Sequence, residues 1–264
     1  MSYKSLLGSE KTVSVYDARG LHDNVPWFFA GDIHGDLRCL TWILRYLESR
    51  AAFVLCFLGD LFDRGQHDAE CFQALLSFAN RFPNQVLWLA GNHDRCVDPA
   101  IKESLARTGW TNDLIERRNA IVPLLPKIAL FDHGILAMHA GPPMVSVTGE
   151  SYVPWEDRSF WRRYKHMKEI IVDDESPTFD GRDVLNFAKQ HLKGFKPRTL
   201  IRGHDHPSMG VERYQEENLE VITLLASSTL GTEYLPQAHR PHTHLLCLEQ
   251  EGGLRCLIIQ SHGG

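Results

Sequence analysis

The sequence predicts an α/β protein built around a parallel sheet, on three observations. Near the amino terminus, a short apolar run, a polar turn and a helical pattern follow one another three times. Towards the carboxyl terminus, apolar runs alternate with polar turns, which is typical of antiparallel strands. A chain of 264 residues with 43% apolar content can bury a substantial core. Because there is no linker or internal repeat, we expect one domain over residues 1–264, with a cap inserted at about 142–180.

The first three predicted strands each end in a turn of polar side chains. Trp27–Ala30 ends in GDIHGD, Phe53–Leu58 ends in GDLFDRG, and Val86–Ala90 ends in GNHD. Helices are predicted over Leu37–Ser49, from its apolar residues at helical spacing, and over Asp68–Ala79. Because crossover connections place the carboxyl ends of parallel strands at one edge of a sheet, these turns should be neighbours.

The pattern is looser after GNHD. Residues 98–107 and 112–121 favour helices, and Gly134–Met138 is a predicted strand that ends in HAG. Residues 142–178 are irregular and rich in aromatic and basic residues. They fit either a substrate-binding cap or a segment whose aromatics pack on the core while its arginines face solvent.

The last part of the chain returns to regular patterns. Asp180–His191 predicts a helix with Asp180 as its N-cap, and Thr199–Arg202 predicts a strand that ends in GHDH. A second, more antiparallel sheet is predicted from three further apolar runs: Val221–Leu225, His244–Leu248 and Leu254–Ile259.

Composition narrows the function classes. The net charge is −5 and the charges are mixed, so no basic stripe is available for a nucleic-acid backbone. No apolar run has the length of a membrane span, and the first residues lack a signal pattern. We therefore expect a cytoplasmic monomer that binds neither nucleic acid nor membrane. The six cysteines form no CxxC pair and are interpreted as reduced thiols, with a redox role for Cys96 as the alternative.

Five strand-end turns carry side chains that suit a metal centre. Carboxylate, imidazole and amide ligands together favour Mn²⁺, Fe²⁺ or Zn²⁺ over an all-oxygen calcium site. A single Gly-Asp turn or a lone His is common, so the signal is the ordered set. The candidate ligands are Asp32, His34, Asp60, Asn92, His139, His204 and His206.

Such a set can hold two ions. One carboxylate can bridge two ions about 3.5–4 Å apart, the separation found in two-metal hydrolases. A water that bridges them loses its proton near neutral pH and becomes a nucleophile, and the ions neutralise charge on the phosphate oxygens.

The five motifs GDIHG, GDLFDRG, GNHD, HAG and GHDH, in this order, resemble those of the phosphoprotein phosphatase family of binuclear metallophosphoesterases. The resemblance covers roughly residues 27–260, and its most specific part is GDLFDRG. It implies a calcineurin-like fold: a central β-sandwich of two mixed sheets flanked by helices, with a small inserted cap. It also implies two divalent ions, Mn²⁺ foremost, with Fe or Zn as alternatives. The compact chain and the simple GNHD motif favour a bacterial member.

The resemblance assigns roles to the candidate ligands. Asp32 and His34 would bind the first ion and Asp60 would bridge the two. Asn92, His139 and His204 would hold the second. His206 departs from the eukaryotic phosphatases, but the wider superfamily has GHxH with its last His on the first ion. We therefore predict His206 as a seventh ligand, with a solvent-facing or supporting His as the alternative.

The resemblance also assigns the catalytic groups. His93 is the expected general acid that protonates the leaving-group oxygen, and Asp63 is its carboxylate partner. Arg64 has the forked geometry that binds two phosphate oxygens, and Asn92 also faces the substrate.

Two further substrate contacts are less defined by the motifs. The stretch DDESPTFDGRD does not carry the family's second phosphate arginine in register. Arg182 is our prediction, with Arg158, Arg162 and Arg163 as alternatives. The loop ASSTLGTEYLPQ matches the family's substrate-gating loop, so we predict Tyr234 at the border of the site, with an exposed turn as the alternative.

We predict a phosphomonoesterase that acts on phosphorylated protein side chains, Ser/Thr first, or on a small phosphoester. The alternative is a symmetrical diadenosine tetraphosphate hydrolase, whose family shares GDIHG, GNHD and HAG. Those enzymes typically have Asn where this chain has Asp63, which favours the phosphatase. A nuclease is disfavoured by the acidic balance. A binding scaffold of the same fold would be expected to lose ligands or the catalytic His, and this chain keeps both.

Overall fold

A computed structural model describes residues 4–5, 13–21, 25–94, 109–144, 157–167, 177–216, 218–228, 242–249 and 252–260. This part of the chain forms four α-helices and fourteen strands. The helices are α1 Leu37–Glu48, α2 Asp68–Arg81, α3 Asn112–Ile121 and α4 Gly181–His191. The strands are β1 Lys4–Ser5, β2 Ser14–Asp17, β3 Trp27–Ala30, β4 Val54–Phe57, β5 Val86–Trp88, β6 Ile128–Phe131, β7 Ile135–Met138, β8 Arg163–Tyr164, β9 Thr178–Phe179, β10 Thr199–Arg202, β11 Val211–Glu216, β12 Leu219–Leu224, β13 His242–Leu248 and β14 Leu254–Gln260.

Two mixed sheets form the framework. The first has the order β14-β13-β3-β4-β5, in which β3, β4 and β5 run parallel and β13 pairs antiparallel with β3. The second has the order β1-β2-β6-β7-β10-β12-β11, in which β7, β10 and β12 run parallel. The short strands β8 and β9 form a separate parallel pair.

The sheets pack as a sandwich between two layers of helix. The central core contains side chains of both sheets, such as Phe29 of β3 and Ile201 of β10. The outer face of the first sheet packs on α1 and α2. The outer face of the second sheet packs on α4, with Val184 and Phe187 buried there. The α/β fold with two mixed sheets and flanking helices is therefore confirmed.

Local chemistry explains where the helices begin. Asp36 accepts a hydrogen bond from the backbone N–H of Cys39 at 3.0 Å and so caps α1. Asp180 caps α4 as predicted, and its carboxylate and that of Asp183 form a reciprocal capping box. Both caps satisfy N–H groups that have no partner within the helix.

One prediction about the sheets was wrong. The last three predicted strands do not form a sheet of their own. The strand β12 pairs with β10 in the second sheet, whereas β13 joins β3 in the first sheet. Six of the described strands were not predicted from the sequence: β1, β2, β6, β8, β9 and β11.

Several predictions fall on residues outside the described ranges. These are the helix over 98–107, most of the cap region, Cys96 and Tyr234. The extent of the domain and of its cap therefore stays a prediction. Within the described ranges, Cys39, Cys56, Cys71, Cys247 and Cys256 are free thiols, the first four of them buried. None of the described helices combines the length and the apolar character that crossing a bilayer requires.

Candidate metal centre

The five motif turns meet at one edge of the sandwich. Three of them follow β3, β4 and β5 of the first sheet, and two follow β7 and β10 of the second. Hydrogen bonds join the turns: the N–H of Gly203 donates to the carbonyl of His139 at 3.0 Å, that of Ile33 donates to the carbonyl of Asp60 at 3.0 Å, and that of His204 donates to Oδ1 of Asp32 at 3.1 Å. The centre is therefore assembled from both sheets, and the first three turns are neighbours at one sheet edge, as their spacing predicted.

Three candidate ligands lie on left-handed backbone. The φ angles are 49° at His34, 55° at Asp60 and 70° at His204, which non-glycine residues rarely adopt. Neighbouring glycines allow the close packing of these turns. A Cβ at Gly91 would come 2.1 Å from Oδ1 of Asp60, and one at Gly203 would come 2.2 Å from Oδ1 of Asp32. The turns are thus fixed by close packing around the two carboxylates.

The first group of candidate ligands contains Asp32, His34 and His206, with potential ligand atoms all within 4.8 Å of one another. Nε2 of His206 lies 3.4 Å from Oδ2 of Asp32, and Nε2 of His34 lies 3.7 Å from the same oxygen. His206 therefore lies where a seventh ligand would have to be.

The second group contains Asp60, His139 and His204, again within 4.8 Å. Nε2 of His139 lies 3.2 Å from Oδ2 of Asp60 and 3.0 Å from Oδ1 of Asn92. Oδ1 of Asn92 is also 2.8 Å from Nδ1 of His204. Asp60 reaches the first group as well, since its Oδ2 lies 3.6 Å from Nε2 of His34. Its position between the groups is the one that a bridging carboxylate needs.

Hydrogen bonds fix which histidine nitrogen faces the centre. Nδ1 of His34 donates to the carbonyl of Phe62 at 3.0 Å, and Nδ1 of His139 donates to that of Leu58 at 2.9 Å. Each Nε2 is thereby turned toward the centre, as outer hydrogen bonds arrange in metal sites. Among the described residues, the buried Nε2 of His34 has no hydrogen-bond partner. A cation between these groups would supply the missing contact, so the residues fit a metal centre.

Electrostatics favour the protonation states that bind metal. Burial opposes ionisation of Asp60, yet the surrounding histidines, His139 first, outweigh it and hold its pKa below the usual range. The same balance lowers the pKa of Asp32. Burial lowers the pKa of His34, and lowers that of His204 to about 3, so both are neutral at pH 7. Ionised carboxylates and neutral imidazoles are what a divalent ion requires.

His139 is the exception in this group. Burial would lower its pKa, but the charges of Asp60 and Asp32 outweigh burial and raise the pKa to about 9. Without a cation, His139 is therefore the group that neutralises the two carboxylates. A bound divalent ion would take over that role and displace its proton.

Asp63, Arg64 and His93 lie beside the two ligand groups. Oδ2 of Asp63 is 2.7 Å from Nδ1 of His93, and this hydrogen bond lowers the pKa of Asp63 to about 2. The backbone N–H of His93 donates to Oδ1 of Asp60 at 2.8 Å. Nη2 of Arg64 lies 3.1 Å from Nε2 of His93. The structure thus brings the predicted acid, its partner and the predicted phosphate arginine together.

The candidates for a second phosphate-binding arginine do not lie beside Arg64 in the described part of the chain. Arg162 binds the carbonyl of Thr178 and Oδ2 of Asp183, and Arg163 binds Asp205. Arg182 is exposed on the first turn of α4, and within the described part of the chain no hydrogen bond or ion pair joins it to the ligand groups. Its role stays a prediction. The side chains of Arg158 and Tyr234 lie outside the described part of the chain.

Two buried carboxylates were missed by the sequence reading. Asp94 is the last residue of the GNHD motif. Its carboxylate accepts hydrogen bonds from the backbone N–H groups of Asp60, Leu61 and Gly91, each at 2.9 Å. Asp205 lies between His204 and His206 and binds two arginines. The available signal was their position inside the motifs, next to candidate ligands.

Known proteins resemble this chain in sequence and in structure. A family model described as calcineurin-like phosphoesterase matches residues 26–208. The serine/threonine-protein phosphatase 4 catalytic subunit of Eremothecium gossypii is 34% identical over 80 residues, which are 30% of this chain and 26% of that protein. The chain thus spans about a quarter of the length of that curated relative.

Two solved structures share the fold over most of the chain. A serine/threonine phosphatase from Saccharomyces cerevisiae superposes with a TM-score of 0.64 at 16% identity, covering 95% of this chain and 84% of its own. A putative diadenosine tetraphosphatase gives a TM-score of 0.55 at 18% identity, covering 94% and 99%. At these identities the likeness shows the fold alone.

The family model covers most of the chain, including all five motifs up to His206. This fold implies a binuclear divalent metal site, and the candidate ligand clusters lie where the motifs converge. The superfamily predicted from the motifs, the binuclear metallophosphoesterases, is confirmed: the chain belongs to the calcineurin-like phosphoesterases, enzymes that hydrolyse phosphoesters.

Proposed function

We propose that this protein is a metal-dependent phosphomonoesterase that removes phosphate from serine and threonine side chains of proteins. The observation that carries the proposal is the contact between Asp63 and His93, with Arg64 beside them and both ligand groups adjacent. An acid, its partner and an anion-binding cation at one edge are the parts that phosphoester hydrolysis requires.

The proposed ligands divide between two ions. Asp32, His34 and His206 would hold the first and Asn92, His139 and His204 the second, with Asp60 shared. Mn²⁺ is the proposed metal, with Fe or Zn as alternatives, since nitrogen and oxygen ligands accept each of them. When bound, the ions supply charge stabilisation for the phosphate oxygens and a nucleophile at neutral pH.

The protein's own groups then bind the substrate and move the proton. Arg64 is exposed at the edge of the site and can donate two N–H groups to phosphate oxygens. Asn92 is half-buried and has its amide beside the same edge. His93 gives a proton to the oxygen that leaves, because a serine or threonine alkoxide is a poor leaving group without one. Asp63 holds Nδ1 of His93, so the other ring nitrogen is the one directed to the substrate.

The second candidate function is hydrolysis of dinucleoside polyphosphates. It is supported by the shared fold of the putative diadenosine tetraphosphatase. The phosphatase is favoured because Asp63 is present and in contact with His93, and because a protein similar in sequence over 80 residues is a serine/threonine phosphatase. The proposal also places the protein in the cytoplasm, because its first residues lack a signal pattern, and takes it to be a monomer.

The test is a substrate panel for the chain loaded with Mn²⁺. Phosphoserine, phosphothreonine and phosphotyrosine peptides and diadenosine tetraphosphate are compared at equal concentration. We expect faster hydrolysis of the phosphoserine and phosphothreonine peptides than of the other two substrates. Exclusive cleavage of the dinucleotide would reverse the ranking, and no hydrolysis of any substrate would reject the proposal.

A further inference from the structure

Asp205 joins a candidate metal-binding turn to a segment outside the two large sheets. It lies between His204 and His206, and its side chain is fully buried. Its carboxylate accepts hydrogen bonds from Nη1 of Arg202 at 2.5 Å, from Nε of Arg163 at 2.7 Å and from the backbone N–H of Tyr164 at 3.0 Å. Two of these three donors belong to the short strand β8.

Arg162, which directly precedes β8, contacts the other motif turn of the second sheet. The backbone N–H of Gly141, in the HAG turn, donates to the carbonyl of Arg162 at 3.0 Å. A Cβ at Gly141 would come 2.2 Å from the ring of Phe179 in β9, the partner of β8. The pair of β8 and β9 therefore packs directly against both turns that bring histidine ligands from the second sheet.

The GHDH turn has little freedom of its own. His204 has a φ of 70°, and its backbone N–H lies 3.1 Å from Oδ1 of Asp32. The N–H of Asp205 donates to the carbonyl of Gly203 at 2.9 Å. The turn that carries the side chains of His204 and His206 is thus held by two carboxylates: Asp32, which accepts a hydrogen bond from its backbone, and the buried Asp205 within it.

We propose that Arg163 and Asp205 are positioning residues: they fix the turn that carries His204 and His206, so the position of β8 sets the affinity of the metal centre. This inference rests on the proposed two-metal function. Buried groups that orient metal ligands typically change metal affinity by about 10–100-fold when they are removed. Without Arg163, the buried Asp205 carboxylate would lose one of its two arginine partners, and the GHDH turn would be held less rigidly.

The competing explanation is that the pair only holds β8 in place. The same segment offers a matched control for this. Lys165, two residues from Arg163, makes an ion pair with Asp180 at 2.5 Å, but this pair lies at the start of α4 and not at a motif turn. Its side chain is 39% exposed, against 15% for Arg163. Lys165→Gln therefore removes an ion pair of the same segment without touching the GHDH turn.

The experiment is a calorimetric titration of Mn²⁺ into metal-free wild type, Arg163→Gln and Lys165→Gln, with thermal unfolding in chelator to check the fold. For Arg163→Gln we expect affinity for at least one ion to fall by about 10–100-fold. Its kcat should be low at limiting Mn²⁺ and recover at saturating Mn²⁺, with KM little changed. Lys165→Gln should bind Mn²⁺ as the wild type does.

Further variants keep the test decisive if Arg163→Gln does not fold. Arg163→Lys keeps the charge and should lose less affinity than Asp205→Asn, which removes the carboxylate charge that both arginines bind. The inference is overturned if Arg163→Gln and Lys165→Gln bind Mn²⁺ alike, or if Arg163→Lys and Asp205→Asn bind it as tightly as the wild type. If the wild type itself neither binds two ions nor hydrolyses phosphoesters, the proposed function fails, which is a separate outcome.

Discussion

Oδ2 of Asp63 lies 2.7 Å from Nδ1 of His93, and the backbone N–H of His93 is itself bound to Asp60 at 2.8 Å. The imidazole is therefore held at both its ring and its backbone. One contact orients the ring, and the other ties it to the carboxylate proposed to bridge the ions. A proton donor in this position has little freedom to turn away from the substrate.

The first prediction concerns His93 as the general acid. His93→Asn should lower kcat for a phosphoserine peptide by about 10²–10⁴-fold, the usual contribution of acid–base catalysis. The loss should be smaller for p-nitrophenyl phosphate, because nitrophenolate leaves without protonation. The measurement is kcat for both substrates at saturating Mn²⁺.

His67→Asn provides a control for this variant. His67 follows the GDLFDRG motif that carries Asp63, but its side chain is 53% exposed and its Nδ1 lies 3.6 Å from Oε1 of Glu70. It should keep wild-type kcat. Survival of both activities in His93→Asn would show that another group donates the proton.

The second prediction concerns Arg64 as the phosphate-binding residue. Its Nη2 lies 3.1 Å from Nε2 of His93, and its Nη1 lies 3.4 Å from Nε2 of His206. Arg64→Lys keeps the charge but loses the fork that binds two oxygens. The inhibition constant of inorganic phosphate should rise by about tenfold or more, which corresponds to about 1.4 kcal/mol.

Arg81→Lys is the matched control, since Arg81 is exposed and binds Glu48 on the helical side of the first sheet. Phosphate inhibition should be unchanged there. Equal inhibition constants for wild type and Arg64→Lys would mean that Arg64 does not contact phosphate.

The third prediction concerns pH and the buried carboxyl of Asp68. Burial raises its pKa from 3.8 to about 6. Between these values the folded state keeps a proton that the unfolded state releases, so this group lowers the free energy of unfolding as pH rises from about 4 to about 6. The effect is complete above pH 6 and amounts to about 3 kcal/mol at most.

Asp68→Asn should remove this dependence. The amide oxygen can still accept the N–H of Asp63, which now binds Oδ2 of Asp68 at 3.0 Å. Urea unfolding at pH 4.5 and pH 7.5 should show the variant gaining stability relative to wild type at the higher pH. Asp113→Asn, in the exposed first turn of α3, controls for a lost charge at a helix start. A stability difference between Asp68→Asn and wild type that does not change with pH would contradict the prediction.

The turns of the metal centre were more predictable from the sequence than the pairing of strands in the two sheets. The turns after β3, β4 and β5 could be found because an apolar strand, a polar turn and a helical pattern are local features. The split of β12, β13 and β14 between two sheets could not be found, since pairing between distant strands leaves no local pattern. The strand β11 was missed because it is an edge strand with charged side chains such as Glu212 and Arg213.

The supporting residues were the least predictable part. Asp94 binds three backbone N–H groups and Asp205 binds two arginines, but a sequence shows neither kind of contact. The contacts of the candidate arginines could not be predicted from the sequence either. Arg162 and Arg163 were candidates for phosphate binding, whereas the structure has them bound to Asp183 and Asp205.

The fourth prediction concerns the close approach of Gly203 to Asp32. A Cβ at this position would lie 2.2 Å from Oδ1 of Asp32, so Gly203→Ala must displace a buried carboxylate that has no room to rotate freely. Affinity for Mn²⁺ should fall by about tenfold or more, because the first ion loses a properly placed ligand. Gly253→Ala is the control, since the nearest atom to its Cβ is 4.0 Å away, and neither glycine requires a positive φ. Metal titration with circular dichroism on both variants measures the effect. A Gly203→Ala protein that binds Mn²⁺ like Gly253→Ala would show that Asp32 can move without loss, and hence that it is not a ligand.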